Sequence, residues 1–314
     1  MRMFAAISFC LASLTGFSQD TTLSNTASSS PPSSTEPDYV WIFSSPKLIN
    51  LNTVELVPRR VLEFKVTHNF GDIGGDHGGI TNFFGLDNAA DVRIGFQYGL
   101  SKKINLIAAR ARGASLVQQQ YELGIKYRIM QQAKDAAHPF SLAIFANNVI
   151  STMKANKTPN LENSFSDFSD RNSQTLQLLV GRRFGKLSLQ LNPTYVHRNY
   201  VVDGDDNSIF AIGGGLRVPL KGVFSLIVDY SHSFRSQSSI DLFKTQDIRF
   251  YDALGVGVEI LTAGHSFHLN FTNATELLEN RYIPRTVSSW TKGEFRWGFT
   301  ISRDFNFKKK KKIN

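Results

Sequence analysis

From Arg60 onward, apolar and polar side chains alternate with a period of two. That period places the two sets on opposite faces of an extended strand. Val92, Ile94, Phe96, Tyr98 and Leu100 alternate with Asp91, Arg93, Gly95, Gln97 and Gly99. Tyr121, Leu123, Ile125, Tyr127 and Ile129 alternate with Glu122, Gly124, Lys126 and Arg128. Weaker runs complete a set of about twelve strands, an even number within the range of bacterial membrane barrels. They lie near residues 60–70, 91–100, 104–112, 118–130, 140–149, 173–181, 187–197, 208–218, 223–231, 249–260, 265–272 and 294–305. In the run 104–112 the apolar parity ends in Arg110, which predicts a β-bulge there.

The connections sharpen the picture. Those after the even-numbered strands are short, at residues 101–103, 131–139, 182–186, 219–222 and 261–264. The others are longer, at 71–90, 150–172, 198–207, 232–248 and 273–293, with 113–117 the one short exception. Short turns at one end and long loops at the other characterise outer-membrane barrels. No apolar run reaches the roughly 18 residues that a membrane helix needs, but spanning strands require only about 9–11. A secreted β-sandwich would alternate as well, with its apolar set turned inward. Aromatic placement favours the membrane: Tyr98, Tyr127 and Phe224 sit near short turns, and Phe70, Tyr121, Tyr195, Phe210 and Tyr230 near long loops, as two interfacial girdles would. The expected fold is therefore all-β, an antiparallel transmembrane up-and-down barrel spanning residues 60–307, with both termini periplasmic.

Residues 1–18 read as a secretory signal, with Arg2 before the apolar stretch Phe4–Leu14 and small residues ahead of Gln19. The sole cysteine, Cys10, lies inside it, so the mature chain has no thiol chemistry. Residues 19–38, rich in Ser, Thr and Pro, read as a flexible linker. Residues 39–59 are more apolar, with the composition to dock locally. The net charge of +9 is misleading, because Arg2 and the run Lys308–Lys312 supply six of those charges. The body is nearly balanced, which argues against nucleic-acid binding and makes residues 308–314 a solvated basic tail.

The last strand carries Phe295, Trp297, Phe299, Ile301 and Phe305 on one parity, broken only by Arg303. It is similar to the C-terminal insertion signal of outer-membrane barrels, although Asn306–Asn314 extend beyond it. The stretches RVLEFKVTHNFG (Arg60–Gly71), TNFFGLDNAADVRIGFQYG (Thr81–Gly99), GHSFHLNFTN (Gly264–Asn273) and GFTISRDF (Gly298–Phe305) resemble a bacterial β-barrel family known only as a domain of unknown function. The resemblance implies the barrel and an envelope location, and no activity. Outer-membrane lipid and the barrel-assembly machinery are the expected partners, with room for a periplasmic or surface protein.

With the apolar parity facing lipid, the other parity lines the lumen: Glu63, Lys65, Arg93, Glu122, Lys126, Arg128, Arg217, Asp229, Glu259 and Arg296. Two readings follow, a narrow polar pore whose charges set selectivity or a plugged barrel whose charges pair. The pore, transport or ligand-binding reading is the first expectation. A non-conducting barrel that displays loops or anchors a partner is the second.

No cofactor is expected. Asp203, Asp205 and Asn207 offer oxygens at alternate positions, but Ser208 and Gly214 stand where a calcium loop needs Gly and Glu, so a solvated turn is preferred. The glycine-rich loop Gly71–Gly79 lacks the Lys-Ser/Thr pair of a phosphate-binding loop. His232 and Ser233 invite comparison with membrane-barrel lipases, but adjacent strand residues face opposite ways and the sequence offers no third orienting group. His265 and His268 also differ in parity, and no enzyme is expected.

Overall fold

The computed structural model describes residues 38–113, 115–135 and 137–307. Its strands are β1 (Val61–Asp72), β2 (Ala89–Gly99), β3 (Ile104–Gly113), β4 (Gln119–Met130), β5 (Ser141–Ser151), β6 (Asn172–Phe184), β7 (Leu187–Arg198), β8 (Ser208–Pro219), β9 (Phe224–Phe234), β10 (Ala253–Leu261), β11 (His265–Thr272) and β12 (Arg296–Asn306). Each pairs antiparallel with its neighbours in sequence, and β1 closes on β12 from Val61↔Asn306 to Asp72↔Arg296. The barrel therefore has no free edge along which backbone groups would meet lipid unpaired. Two short helices, α1 (Gln237–Lys244) and α2 (Glu279–Arg285), sit in the last two long loops.

The apolar parity points outward. Leu123, Leu191 and Phe210 are 59%, 55% and 63% exposed, which removes the sandwich, whose apolar set would be inside. All the girdle aromatics share this outward face, and Tyr195 packs on Phe210 at 5.0 Å between ring centroids.

Two expectations change. No bulge occurs in β3, where Asn105 to Gly113 pairs without a break against β2 and Ile104 to Arg112 against β4. Arg110 and Arg112 simply keep the outward parity and are exposed at the long-loop end. The register shifts fall instead at Asn69–Asp72 of β1 and Arg128–Met130 of β4. β10 begins at Ala253, because the Tyr251 N–H is taken by Thr286 O and the Asp252 side chain by Tyr230 and His232. The signal, most of the linker and the basic tail fall outside the described residues.

The interior is filled from both ends. Asp38–Pro58 enters at the short-turn end beside Ala133, turns deep in the barrel near Leu51, and leaves beside Gly99. Residues 273–295, which carry α2, fold in from the long-loop end, and α2 packs against β6, β7 and β9.

Candidate functional site

The inward face of the wall is built to hold the N-terminal hairpin by its backbone. Asp229 Oδ2 accepts from three consecutive N–H groups, those of Ile49 (3.0 Å), Asn50 (2.6 Å) and Leu51 (2.9 Å). Lys126 Nζ does the converse, donating to the carbonyls of Pro46 (2.9 Å), Thr53 (3.0 Å) and Glu55 (3.3 Å). Buried charges of this kind are tolerable only when their hydrogen-bonding capacity is met, and the hairpin backbone meets it. Amide side chains do the rest. Asn105 bonds both the N–H and the C=O of Val57 at 2.7 and 2.9 Å, and Gln190 bonds the Val54 N–H and the Asn52 C=O at 2.7 and 2.6 Å.

Apolar contacts seat the same hairpin. Ile42, Phe43, Leu48, Ile49 and Val54 cluster with Ile107, Ala143, Phe145, Leu179 and Ile227 of the wall. Gly213 and Gly215 leave room for Leu51 and Leu48. A Cβ at these glycines would stand 2.9 and 2.7 Å from the respective leucine methyls.

All ten charged residues assigned to the lumen point inward, and each is engaged. Lys65 pairs with Glu63 at 3.1 Å and Arg93 with Glu122 at 2.6 Å. Arg217 pairs with Glu259 at 2.7 Å, and Ser44 of the hairpin donates to the same carboxylate at 2.5 Å. Arg128 reaches Glu55 of the hairpin at 3.4 Å and lies 5.9 Å from the Trp41 ring. Arg296 bonds Asp72 and, at 2.8 Å, Ser288.

The hairpin and the inserted loop meet at mid-barrel. Glu279 Oε1 accepts from Lys47 Nζ at 2.9 Å and from Asn52 Nδ2 at 3.0 Å. Above this junction, Arg281 bonds Glu276 and Glu162 at 2.9 and 3.0 Å, and Arg285 bonds Glu162 at 2.7 Å. Burial pushes the Glu162 carboxyl up, but Arg281 and Arg285 outweigh it and hold it below the usual carboxylate range.

Void volumes show how closed the barrel is. A cavity of about 580 Å³ opens at the short-turn end between the hairpin and the β10–β11 turn, and one of about 450 Å³ at the long-loop end beside Arg281 and Arg285. Between them, the void beside Lys65, Arg93 and Glu122 holds about 20 Å³, room for about one water.

The remaining sequence candidates separate. Phe295, Trp297, Phe299, Ile301 and Phe305 all lie on the outward side of the closing strand, where Phe295 stacks on Trp290 at 4.5 Å and Trp297 packs on Phe271 at 4.3 Å. The solvated turn does not describe Asp205. It is buried between Arg198 and Arg235 and accepts from Ser239, so its oxygens hold loops together. Asn207 donates to the Arg198 carbonyl, and Asp203 is exposed. Gly71–Gly79 is pinned to the inserted loop by Ile73 N–H to Phe295 O and Gly74 N–H to Gly293 O. The orienting group missing from the sequence around His232 exists: Asp252 stands 2.9 Å from Nδ1. Ser233 nevertheless faces away, and the neighbours of His232 on its own face include Phe234, Ile212 and Tyr230, whose hydroxyl is already bonded to the same Asp252.

A plugged barrel is one of the two readings of the lumen; which segments fill it is what strand reading missed. The hairpin's signal was the set of apolar residues on the otherwise polar parity, Ile107, Phe145, Leu179 and Ile227, which are now its seat. With Tyr39–Pro58 itself apolar and unassigned, the two observations belong together.

A family described as a membrane-bound beta barrel domain (DUF5777) matches residues 43–305, which takes in most of the hairpin. Among solved structures, the NanC porin is 7% identical, with 78% of this chain and 100% of that one covered and a TM-score of 0.47. An outer membrane channel from Pseudomonas putida F1 is 13% identical, with 80% and 98% covered and a TM-score of 0.47. The KdgM porin in complex with disordered oligogalacturonate is 9% identical, with 78% and 99% covered and a TM-score of 0.45. No curated protein sequence matches the chain.

Proposed function

The chain belongs to the membrane-bound beta barrel domain family, and from that premise we propose that it is an outer-membrane transport barrel held closed by its own N-terminal hairpin. The observation that carries this reading is how the hairpin is held. Asp229 and Lys126 grip its backbone through six hydrogen bonds, and it supplies no strand of the barrel sheet, its backbone bridging the β4–β5 turn at Tyr39 and Ala133. Water can replace those polar contacts at low cost; release also exposes the apolar seat of Ile42, Phe43, Leu48, Ile49 and Val54, but it breaks no strand pairing of the barrel. The charges it uncovers, Glu63, Lys65, Arg93, Glu122, Lys126 and Arg128, then line a polar passage. The short-turn end faces the periplasm in this reading, so the hairpin is released on that side.

Planar-bilayer recording tests it. The full chain is silent or opens rarely. A barrel lacking residues 39–57 opens more often, and one also trimmed at 276–290 conducts steadily, with ion preference altered by Arg128→Glu. Silence of the doubly trimmed barrel, with folding verified by its heat-dependent gel shift, overturns the reading. That silence would favour a non-conducting structural barrel, a role that the two-sided filling and the Lys47–Glu279 junction also fit.

A further inference from the structure

Arg110 and Arg112 face outward on β3, at the long-loop end, and both are exposed. They register with Tyr121 and Gln119 of β4, and with Ile94 and Val92 of β2. Among the described residues neither guanidinium has a hydrogen-bond or ion-pair partner, and Arg110 stands 5.9 Å from the Tyr121 ring centroid. Towards the short-turn end the same face becomes apolar, with Leu106, Phe96, Leu123 and Ile125 exposed. A polar row continues around the rim, where Gln174 donates to Asn148 at 2.9 Å and pairs in register with His197. The arginines therefore stand where the apolar band ends. An outward Arg costs about 2–4 kcal/mol at midplane and about 0–1 kcal/mol near the interface. Depth makes the pair tolerable, but two like charges side by side still lack a counter-charge.

We propose that Arg110 and Arg112 bind the phosphates of an anionic lipid in the leaflet that meets the long-loop rim. Guanidinium groups match phosphate oxygens in paired hydrogen bonds. Two residues apart on a strand, the side chains are about 7 Å apart, which suits one headgroup or two neighbouring phosphates. The Tyr121 ring lies within cation–π range of the Arg110 guanidinium.

The test places the full chain in phosphatidylcholine nanodiscs doped with diphosphorylated lipid A, and reads retained lipid by native mass spectrometry. R110Q/R112Q should retain it roughly 30-fold more weakly, as expected for two surface cations at about 1 kcal/mol each. R112Q alone should fall about fivefold, which keeps the test readable if the double variant folds poorly. Lys221→Gln at the opposite rim should change nothing. Equal retention by wild type and R110Q/R112Q overturns the proposal. So does displacement of the lipid by an equal concentration of inorganic phosphate, which would make this a site for free anions.

Discussion

Replacing Asp229 by Ala should release the hairpin, and the size of the effect follows from the geometry. The substitution strands three N–H groups that now bond one carboxylate oxygen at 3.0, 2.6 and 2.9 Å. Each buried orphan donor costs about 1–3 kcal/mol, for roughly 3–6 kcal/mol in total once some water enters the vacated space. Removing the carboxylate also removes its desolvation cost, which brings the net to about 2–4 kcal/mol. The undocked population should then rise by roughly 30- to 1000-fold. Leu51, fully buried at the hairpin apex, is the place to read it. The sequence's sole cysteine is Cys10, in the stretch read as the export signal, so Leu51→Cys provides a single reporter in the mature chain. A membrane-impermeant maleimide should label D229A/L51C faster than L51C by that factor, and D229N/L51C by an intermediate one. Labelling within threefold in the two backgrounds, with both barrels folded, would refute the claim that Asp229 holds the hairpin.

Other consequences concern the plug's ends and the loops. Glu279→Ala leaves Lys47, 13% exposed, without its counter-charge, and should cost about 3–5 kcal/mol in urea unfolding, whereas Lys47→Met with Glu279→Leu should recover most of it. At Gly99 an added Cβ would stand 2.0 Å from Pro58 O, a backbone atom that cannot swing aside, so Gly99→Ala should cost about 1–3 kcal/mol and lower the heat-shifted fraction on gels. Burial raises the Asp205 carboxyl, but Arg198 and Arg235 outweigh it, so Asp205 and Glu162 both ionise below their ordinary values. Their contribution to loop stability is complete above the ordinary carboxylate range and is lost as pH falls through the depressed values. Protease resistance of the long loops should therefore hold from pH 8 to about pH 5 and fail in stronger acid, and retention of full resistance at about pH 2 would count against these ion pairs.

Much of the barrel is written in local alternation. Whether a strand residue faces lipid or lumen depends only on its parity, so Leu123 outward and Glu122 inward could be read from neighbouring residues. Strand number, the order of short and long connections, and the inward direction of all ten lumen charges follow from the same local rule. Arg110 shows the rule holding where it looked broken: it keeps the outward parity at the long-loop end, and β3 pairs through it without a bulge. The lumen's state was not local. Asp229 meets Ile49 across 180 positions of chain and Lys126 meets Pro46 across 80. Neither contact leaves a periodic trace, since an irregular hairpin bonds through its backbone, which every residue shares. The apolar exceptions Ile107, Phe145, Leu179 and Ile227 were visible one by one, but only closure of the barrel brings them to one wall. The sequence by itself determined a membrane barrel with a charged interior. Only the tertiary structure decided that the interior is occupied, because that depends on which distant segment completes the hydrogen bonds of those buried charges.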